Sequence, residues 1–509
     1  MRVVGKLGVG QIRLRYSGFI LFAFRLASVG TSLLFTLMIT RSISPEEYGI
    51  FGNFGDVVSY FTLASTIVPF WVTRFVARGH PGSSKTGLVA NLLVAALSAM
   101  IYLSALGWIM GALQIGREHF IFYLAGVALI FAVHLSAVLE AILYSKRPET
   151  LGFGLFVFEI SRVFLGFLII LIFRLGLIGI LFSHVTATLI QSIFYLRLLL
   201  REFVGGIRWD YVRVWLKGSL LNVHGIISGR ILTLANIFLF IYCGELSRAY
   251  YGASSAMASI IGYSSSLAFA LYPKLLSGAE AKDAELSLKM VLMFAIPMSL
   301  GAIVLSEEIL LILGQSYGPA WLALTILALN MLVSAPSSVF DSVISGIERL
   351  DADAKISYRR VVRSRLFLLL TLYYVQAAIV TPLSYLIFSS MPLYALTAVV
   401  YLAIISTIAN IIVTLAKYVL ARRCLKFSIP WVSIVKYLSV SLIMALILCL
   451  LQTPARLTIT VAKTLFGGLV YFFILLAVDR ETREIARLVV GKASKMLNEI
   501  GLVENEFKG

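Results

Sequence analysis

Arg230 stands alone among the uncharged residues from Gly218 to Gly244, GSLLNVHGIISGRILTLANIFLFIYCG. A run of this length and apolarity reads as a membrane-spanning helix, because about 20 residues at 1.5 Å rise cross the hydrocarbon core. Counted from Gly218, the arginine lies roughly 18 Å in, close to the bilayer midplane. A charge at that depth costs about 3 kcal/mol on insertion scales. A guanidinium kept there suits an anion met inside the membrane, since its planar fork offers two parallel hydrogen bonds to a phosphate. The competing reading is structural: a carboxylate partner, or backbone carbonyls loosened around Gly225, Ser228 and Gly229.

Other polar residues in apolar surroundings carry similar alternatives. Arg25 lies about eight residues, or roughly 12 Å, from the start of the first span, so it either meets an anion or snorkels to the headgroups. Glu140 and Asp341 sit near the ends of their spans on the same side of the membrane. They either pair with bases such as Arg25 and Arg230, or bind and release a coupling ion, H+ or Na+. Asp56, in FGNFGDVVSY, is expected to be solvated near an interface, with a cation site built with Asn53 as the alternative, since hard cations take oxygen ligands. Glu159 and Arg162, three apart on one helical face, are expected to form an internal ion pair. His134, His184 and His224 are expected to be hydrogen-bonded packing residues before pH sensors.

The elements that must position these residues follow from hydropathy. Hydrophobic residues make up 60% and charged residues 13% of the 509, and mean hydropathy is +0.95, which excludes an ordinary soluble domain. Fourteen spans are expected: 18–40, 49–72, 87–113, 119–144, 151–173, 177–199, 218–242, 248–272, 289–313, 319–346, 366–388, 391–416, 430–451 and 457–478. Of the Lys and Arg residues, only Arg41, Arg117, Arg174, Arg248 and Arg456 fall on one side. Arg25, Arg162, Arg230, Lys436 and Lys463 fall within spans, and all others lie on the side of the two termini. The positive-inside rule then places both termini in the cytoplasm of a plasma (inner) membrane protein. The net charge of +18 is accounted for by basic loops on anionic headgroups, with no need of nucleic acid. Cys243, Cys424 and Cys449 form no metal or disulfide pattern, and no metal site or other cofactor is expected. The basic start MRVVGKLGVGQIRLRYSG reads as a retained cytoplasmic end. Residues 479–509 carry apolar residues at helical spacing, as an interfacial helix would.

Two segments repeat. SISPEEYGIFG (Ser42–Gly52), between spans one and two, corresponds to YCGELSRAYYG (Tyr242–Gly252), between spans seven and eight, placing Gly52 on Gly252. HLSAVLEAILYSKRPE corresponds to SAPSSVFDSVISGIER, placing Glu140 on Asp341. The expected fold is therefore all-α and polytopic, with two pseudo-symmetric six-helix lobes of the same orientation around a central site. The expected organisation is 1–17 as cytoplasmic N-terminus, 18–200 as the first lobe, 201–217 as a cytoplasmic linker, 218–416 as the second lobe, 417–478 as spans 13 and 14, and 479–509 as a cytoplasmic tail.

The run RLASVGTSLLFTLMITRSISPEEYGIFGNFGDVVSYFTLASTIVPFWVTRFVARG, with its Ile43-Ser44-Pro45-Glu46-Glu47-Tyr48-Gly49 turn, resembles the opening of prokaryotic polysaccharide (O-antigen-type) flippases. The stretch GELSRAYYGASSAMASIIGYSSSLAFALYPKL, ending in Tyr272-Pro273-Lys274-Leu275, resembles the second-half signature of that family, within the multidrug/oligosaccharidyl-lipid/polysaccharide exporter superfamily. The resemblance implies a transporter, not an enzyme. It would move a polyprenyl- or dolichyl-(di)phosphate-linked oligosaccharide between leaflets, with glycosyltransferases of the same pathway as partners. Arg25 and Arg230 would hold the diphosphate. Members often carry an acidic residue just after the span-seven arginine; here Leu232, Thr233 and Leu234 follow, so no coupling role is expected at that place. The alternatives are a multidrug-type cation antiporter, a peptidoglycan-precursor flippase, a glycan polymerase or glycosyltransferase, and a membrane scaffold. A transferase would need an acidic metal motif, and Asp351-Ala352-Asp353 on a basic loop has no further acidic partners.

Overall fold

The computed structural model describes residues 28–148, 150–203, 205–268, 281–347, 364–451, 454, 456–480 and 482–483. Arg25, the Tyr272–Leu275 motif, the Asp351-Ala352-Asp353 triplet and most of the expected tail helix lie outside them.

The helices are α1 (Ser28–Thr40), α2 (Pro45–Phe61), α3 (Ile67–Ala77), α4 (Ser83–Ala112), α5 (Arg117–Lys146), α6 (Thr150–Ile172), α7 (Gly176–Phe203) and α8 (Trp209–Gly218). They continue with α9 (Leu220–Cys243), α10 (Glu245–Gly262), α11 (Ala281–Val304), α12 (Ser306–Leu313) and α13 (Gln315–Ile347). The last are α14 (Arg365–Ser390), α15 (Ala395–Cys424), α16 (Trp431–Leu450) and α17 (Leu457–Val478). Among the described residues, 11 helices are long and apolar enough to cross a membrane, and 12 if the bent pair α2–α3 counts as one span. The other two expected spans fall on α1, described only from Ser28, and on α10, whose Ser, Tyr and Arg content lowers its hydropathy. The chain is a multi-pass α-helical membrane protein.

The start of α2 shows how the Ser-Pro-Glu-Glu turn works. Ser44 Oγ accepts from the Glu47 amide at 3.2 Å, and Glu47 Oε2 accepts from the Ser44 amide at 3.0 Å. This capping box, with Pro45 in the first turn and two glutamates facing the positive helix end, fixes where the helix begins. The span then bends by 55° between Phe61 and Leu63. Thr62 and Ser59 hydroxyls bond carbonyls within the helix, and Pro69 has no N–H to offer the Ser65 carbonyl, so the regular ladder fails here.

Apolar packing follows the two halves. One core joins α1, α2, α4, α5, α6 and α7 and takes in Phe240 of α9, and a second joins α3, α4, α5, α7 and α8. In the second half, one core joins α9, α10, α12, α13, α14 and α15, and another joins α11, α13 and α15. Helices α16 and α17 pack on α11 through Tyr437, Met444, Tyr471 and Leu475. The halves meet where α2 lies against α9 and α10. There Gly49 is indispensable: a Cβ would sit 2.0 Å from the Glu245 carbonyl oxygen, a backbone atom that cannot rotate away. Helix α1 lies between the halves, with Phe35 and Ile39 in a first-half core and Leu37 in a second-half core.

Candidate functional site

The seam between the halves is polar. Near the Arg41–Ser44 end, Arg248 in the first turns of α10 donates from Nε to Asp56 Oδ2 at 2.7 Å, with both side chains 11% exposed. Asn236 of α9 adds a bond to Asp56 Oδ1 at 3.3 Å, and Arg248 Nη2 reaches the Gly52 carbonyl at 3.2 Å. The glycines paired by the internal repeat flank this guanidinium: a Cβ on Gly52 or Gly252 would come within 3.0 or 3.1 Å of it. Arg41 at the end of α1 donates twice to the Ile312 carbonyl, at 2.8 and 3.1 Å, and so ties α1 to α12.

One layer further toward the basic loops, Tyr60 at the end of α2 donates to the Arg230 carbonyl at 2.7 Å. The Arg230 side chain is half-buried and within electrostatic reach of Tyr60. Among the described residues it has no carboxylate and no hydrogen-bond partner. Gly229 beside it has no atom within 4 Å of where its Cβ would stand, so this face of α9 is open.

The remaining candidates are placed as follows. Asp56 is not solvated but paired with Arg248, and Asn53 does not join it: the Asn53 amide donates to the Tyr123 hydroxyl at 3.1 Å in a fully buried position. Among the described residues Asp341 pairs not with Arg230 but with Lys417 of α15, which donates to it at 3.0 Å; Tyr373 bonds it at 3.2 Å, and the ammonium lies 4.3 Å from the Tyr373 ring centre. Glu140 receives a hydrogen bond from Ser136 at 3.2 Å and meets no cation among the described residues. Glu159 and Arg162 form the expected pair at 2.6 Å, and Thr31 and Ser32 of α1 also bond Glu159. His134 faces the Ile130 carbonyl at 2.8 Å, His184 packs edge-on to Phe158, and His224 stacks on Phe367 and Tyr374. Among the described residues no three His, Cys, Asp or Glu side chains cluster as a metal site.

The sequence places Arg248 at the start of span eight, on the side opposite the termini, and Lys417 just past a span, and pairs neither with its carboxylate. Their partners are 192 and 76 residues away, beyond any local signal. Two further pairs were missed: Lys463 with Glu308 at 2.7 Å and Lys436 with Asp479 at 2.8 Å.

The arrangement of this all-α chain, with two halves meeting over a polar seam, is a fold that solved transporters share. No family model and no curated relative matches the sequence. Among solved structures, the chain is similar to the lipid II flippase MurJ in an inward closed conformation, with a TM-score of 0.66 and 15% identity over 90% of this chain and 99% of that one. It is also similar to an inward-facing multidrug resistance MATE family transporter, with a TM-score of 0.58 and 12% identity over 80% of this chain and 97% of that one. A MATE structure in the bent conformation gives 0.53 and 13% over 81% and 94%. At these identities the likeness establishes the fold.

Proposed function

We propose that this chain is a flippase. It carries the headgroup of a polyprenyl- or dolichyl-(di)phosphate-linked oligosaccharide from the cytoplasmic to the outer leaflet by alternating access, for cell-surface glycan biosynthesis. The observation that supports this reading is the state of Arg230. Arg162, Arg248, Lys417 and Lys463 each hold a carboxylate within the helical bundle; Arg230, at the seam, holds none among the described residues. A bundle cation left without a counter-charge is costly unless a ligand supplies one. A diphosphate does so bidentately. Arg25, three residues before Ser28, is assigned the same role nearer the cytoplasmic mouth.

The lipid II flippase named among the structural neighbours favours a lipid-linked substrate. The lipid tail stays in the bilayer while the seam takes the headgroup. The membrane potential, worth about 2.3 kcal/mol per charge per 100 mV, helps drive an anion outward. The protein would sit in the plasma membrane with both termini cytoplasmic, beside the glycosyltransferases that build its substrate. A multidrug cation antiporter is the rival reading; it would need an acidic seam, and Asp56 is already neutralised by Arg248.

Native mass spectrometry of the purified protein separates the two. A polyprenyl-diphosphate oligosaccharide should bind to the wild type, bind more weakly to Arg230→Ala and recover in part in Arg230→Lys. Binding of lipophilic cations, with no retention of the diphosphate lipid, would reverse the assignment.

A further inference from the structure

The helix that carries Arg230 is gripped from both halves. Tyr60, in the last turn of α2, donates to the Arg230 carbonyl at 2.7 Å, and Thr381 of α14 donates to the next carbonyl, that of Ile231, at 2.9 Å. Nearer the start of α9, the Tyr374 hydroxyl of α14 donates to the His224 carbonyl at 2.9 Å. A helical carbonyl keeps a lone pair after its ladder bond, so such a donor adds a contact without breaking the helix. Consecutive carbonyls point about 100° apart around a helix axis. Holding two of them from different helices therefore fixes both the roll and the height of α9 at this level. The Cβ of Arg230 turns with the helix, so the place of the guanidinium is set by bonds to the backbone that carries it.

Neither donor is spent inside its own helix. Thr36, Thr188 and Thr371 each bond the carbonyl four residues back in their own helices. Thr381, buried beside Pro382, donates to α9 instead. Tyr60 ends a stripe of α2 that meets α9 and α10: Gly49 lies against the Glu245 carbonyl, Gly52 and Asp56 against Arg248, and Tyr60 against Arg230. Asp56 and Tyr60 are four residues apart and share a helical face. Just past Tyr60 the span bends by 55°, so its phenol is the last of these contacts.

We propose that Tyr60 is a positioning residue of the anion site. From the first half it holds the Arg230 carbonyl while Thr381 holds the neighbouring one from the second, and together they set the guanidinium at the seam for a diphosphate. The phenol bonds the backbone, so it acts through Arg230. The inference rests on the reading of Arg230 given above.

Arg230→Ala removes the guanidinium and keeps the carbonyl, so a double-mutant cycle separates positioning from packing. Native mass spectrometry with a polyprenyl-diphosphate oligosaccharide should show binding weakened roughly fivefold by Tyr60→Phe, the scale of one hydrogen bond. Made on Arg230→Ala, the same change should weaken binding by less than about twofold, the limit of additivity. An equal factor in both backgrounds would make Tyr60 a packing residue and overturn the proposal, as would unchanged binding in Tyr60→Phe. Phenylglyoxal, which condenses with guanidinium groups, reads the same geometry without substrate. Mapped by mass spectrometry on the full chain in lipid nanodiscs, its rate at Arg230 should fall severalfold in Tyr60→Phe, because α9 can then roll the guanidinium away from the open face beside Gly229. The exposed Arg423 is the control and should react alike in both. An Arg230 that does not react in the wild type, or reacts as fast in the variant, overturns the positioning role. If the wild type binds no diphosphate lipid while Arg230 loses reactivity in Tyr60→Phe, the substrate reading fails and the positioning stands.

Discussion

At the residue scale, several charges inside this protein are held by partners, and removal has opposite effects depending on whether one or both members go. Lys417 is 4% exposed in its side chain and Asp341 is 29% exposed. Replacing Lys417 by Met strands the aspartate and should cost on the order of 3–5 kcal/mol, whereas Lys417→Met with Asp341→Leu should return most of it. Thermal unfolding in detergent across this double-mutant cycle measures the coupling; additive losses would show that the pair is not a unit. Asp479, just past α17, is a case outside the spans. Burial works against its ionisation, but the Lys436 bond at 2.8 Å and two bonds from Thr482 outweigh it and hold its carboxyl below the usual range. A depressed acid stabilises the fold above the ordinary carboxylate pKa of about 3.9 and loses that contribution as pH falls through its folded value. The stability gap between wild type and Asp479→Asn should therefore be full near neutrality and close in strong acid; a gap that widens in acid would contradict the assignment. The candidate site was only half legible at this scale. The Glu159–Arg162 pair could be read because three residues set one helical face, but Asp56 with Arg248 could not, because nothing local encodes a contact between two halves of a chain.

At the element scale, the helices were legible because hydropathy and charge asymmetry act along the chain. The 457–478 span coincides with α17, and most others agree within a few residues. What hydropathy could not show is the bend between α2 and α3, which arises from Thr62, Ser59 and Pro69 acting on backbone bonds. Nor could it show that α12 breaks away from α11 after Val304. The contact of α2 with α10 gives a direct test. Gly49→Val should lower the unfolding temperature by several degrees, because helix backbones in van der Waals contact cannot make room. Gly55→Ala, with nothing within 4 Å of its Cβ, is the control and should leave it unchanged. Equal behaviour of the two variants would mean that the halves are not closely joined there.

At the scale of the whole molecule, the internal repeat was visible in two short segments, and the fold gives it meaning: Gly52 and Gly252 meet around one guanidinium, and Glu140 and Asp341 occupy matching helix pairs. Asp56 and Asp341 are neutralised by Arg248 and Lys417, while Arg230 holds no carboxylate among the described residues. The Asp56–Arg248 pair joins the two halves, and Arg230 is the base proposed to receive the anion. The central claim concerns that base. Reconstituted into proteoliposomes with a polyprenyl-diphosphate oligosaccharide labelled on its sugar, the wild type should move the label to the opposite leaflet, as read by glycosidase access. Arg230→Ala should reduce that rate by at least about tenfold, the equivalent of losing 1.4 kcal/mol from the rate-limiting barrier, while remaining folded by circular dichroism. Transfer by Arg230→Ala at the wild-type rate would contradict the account.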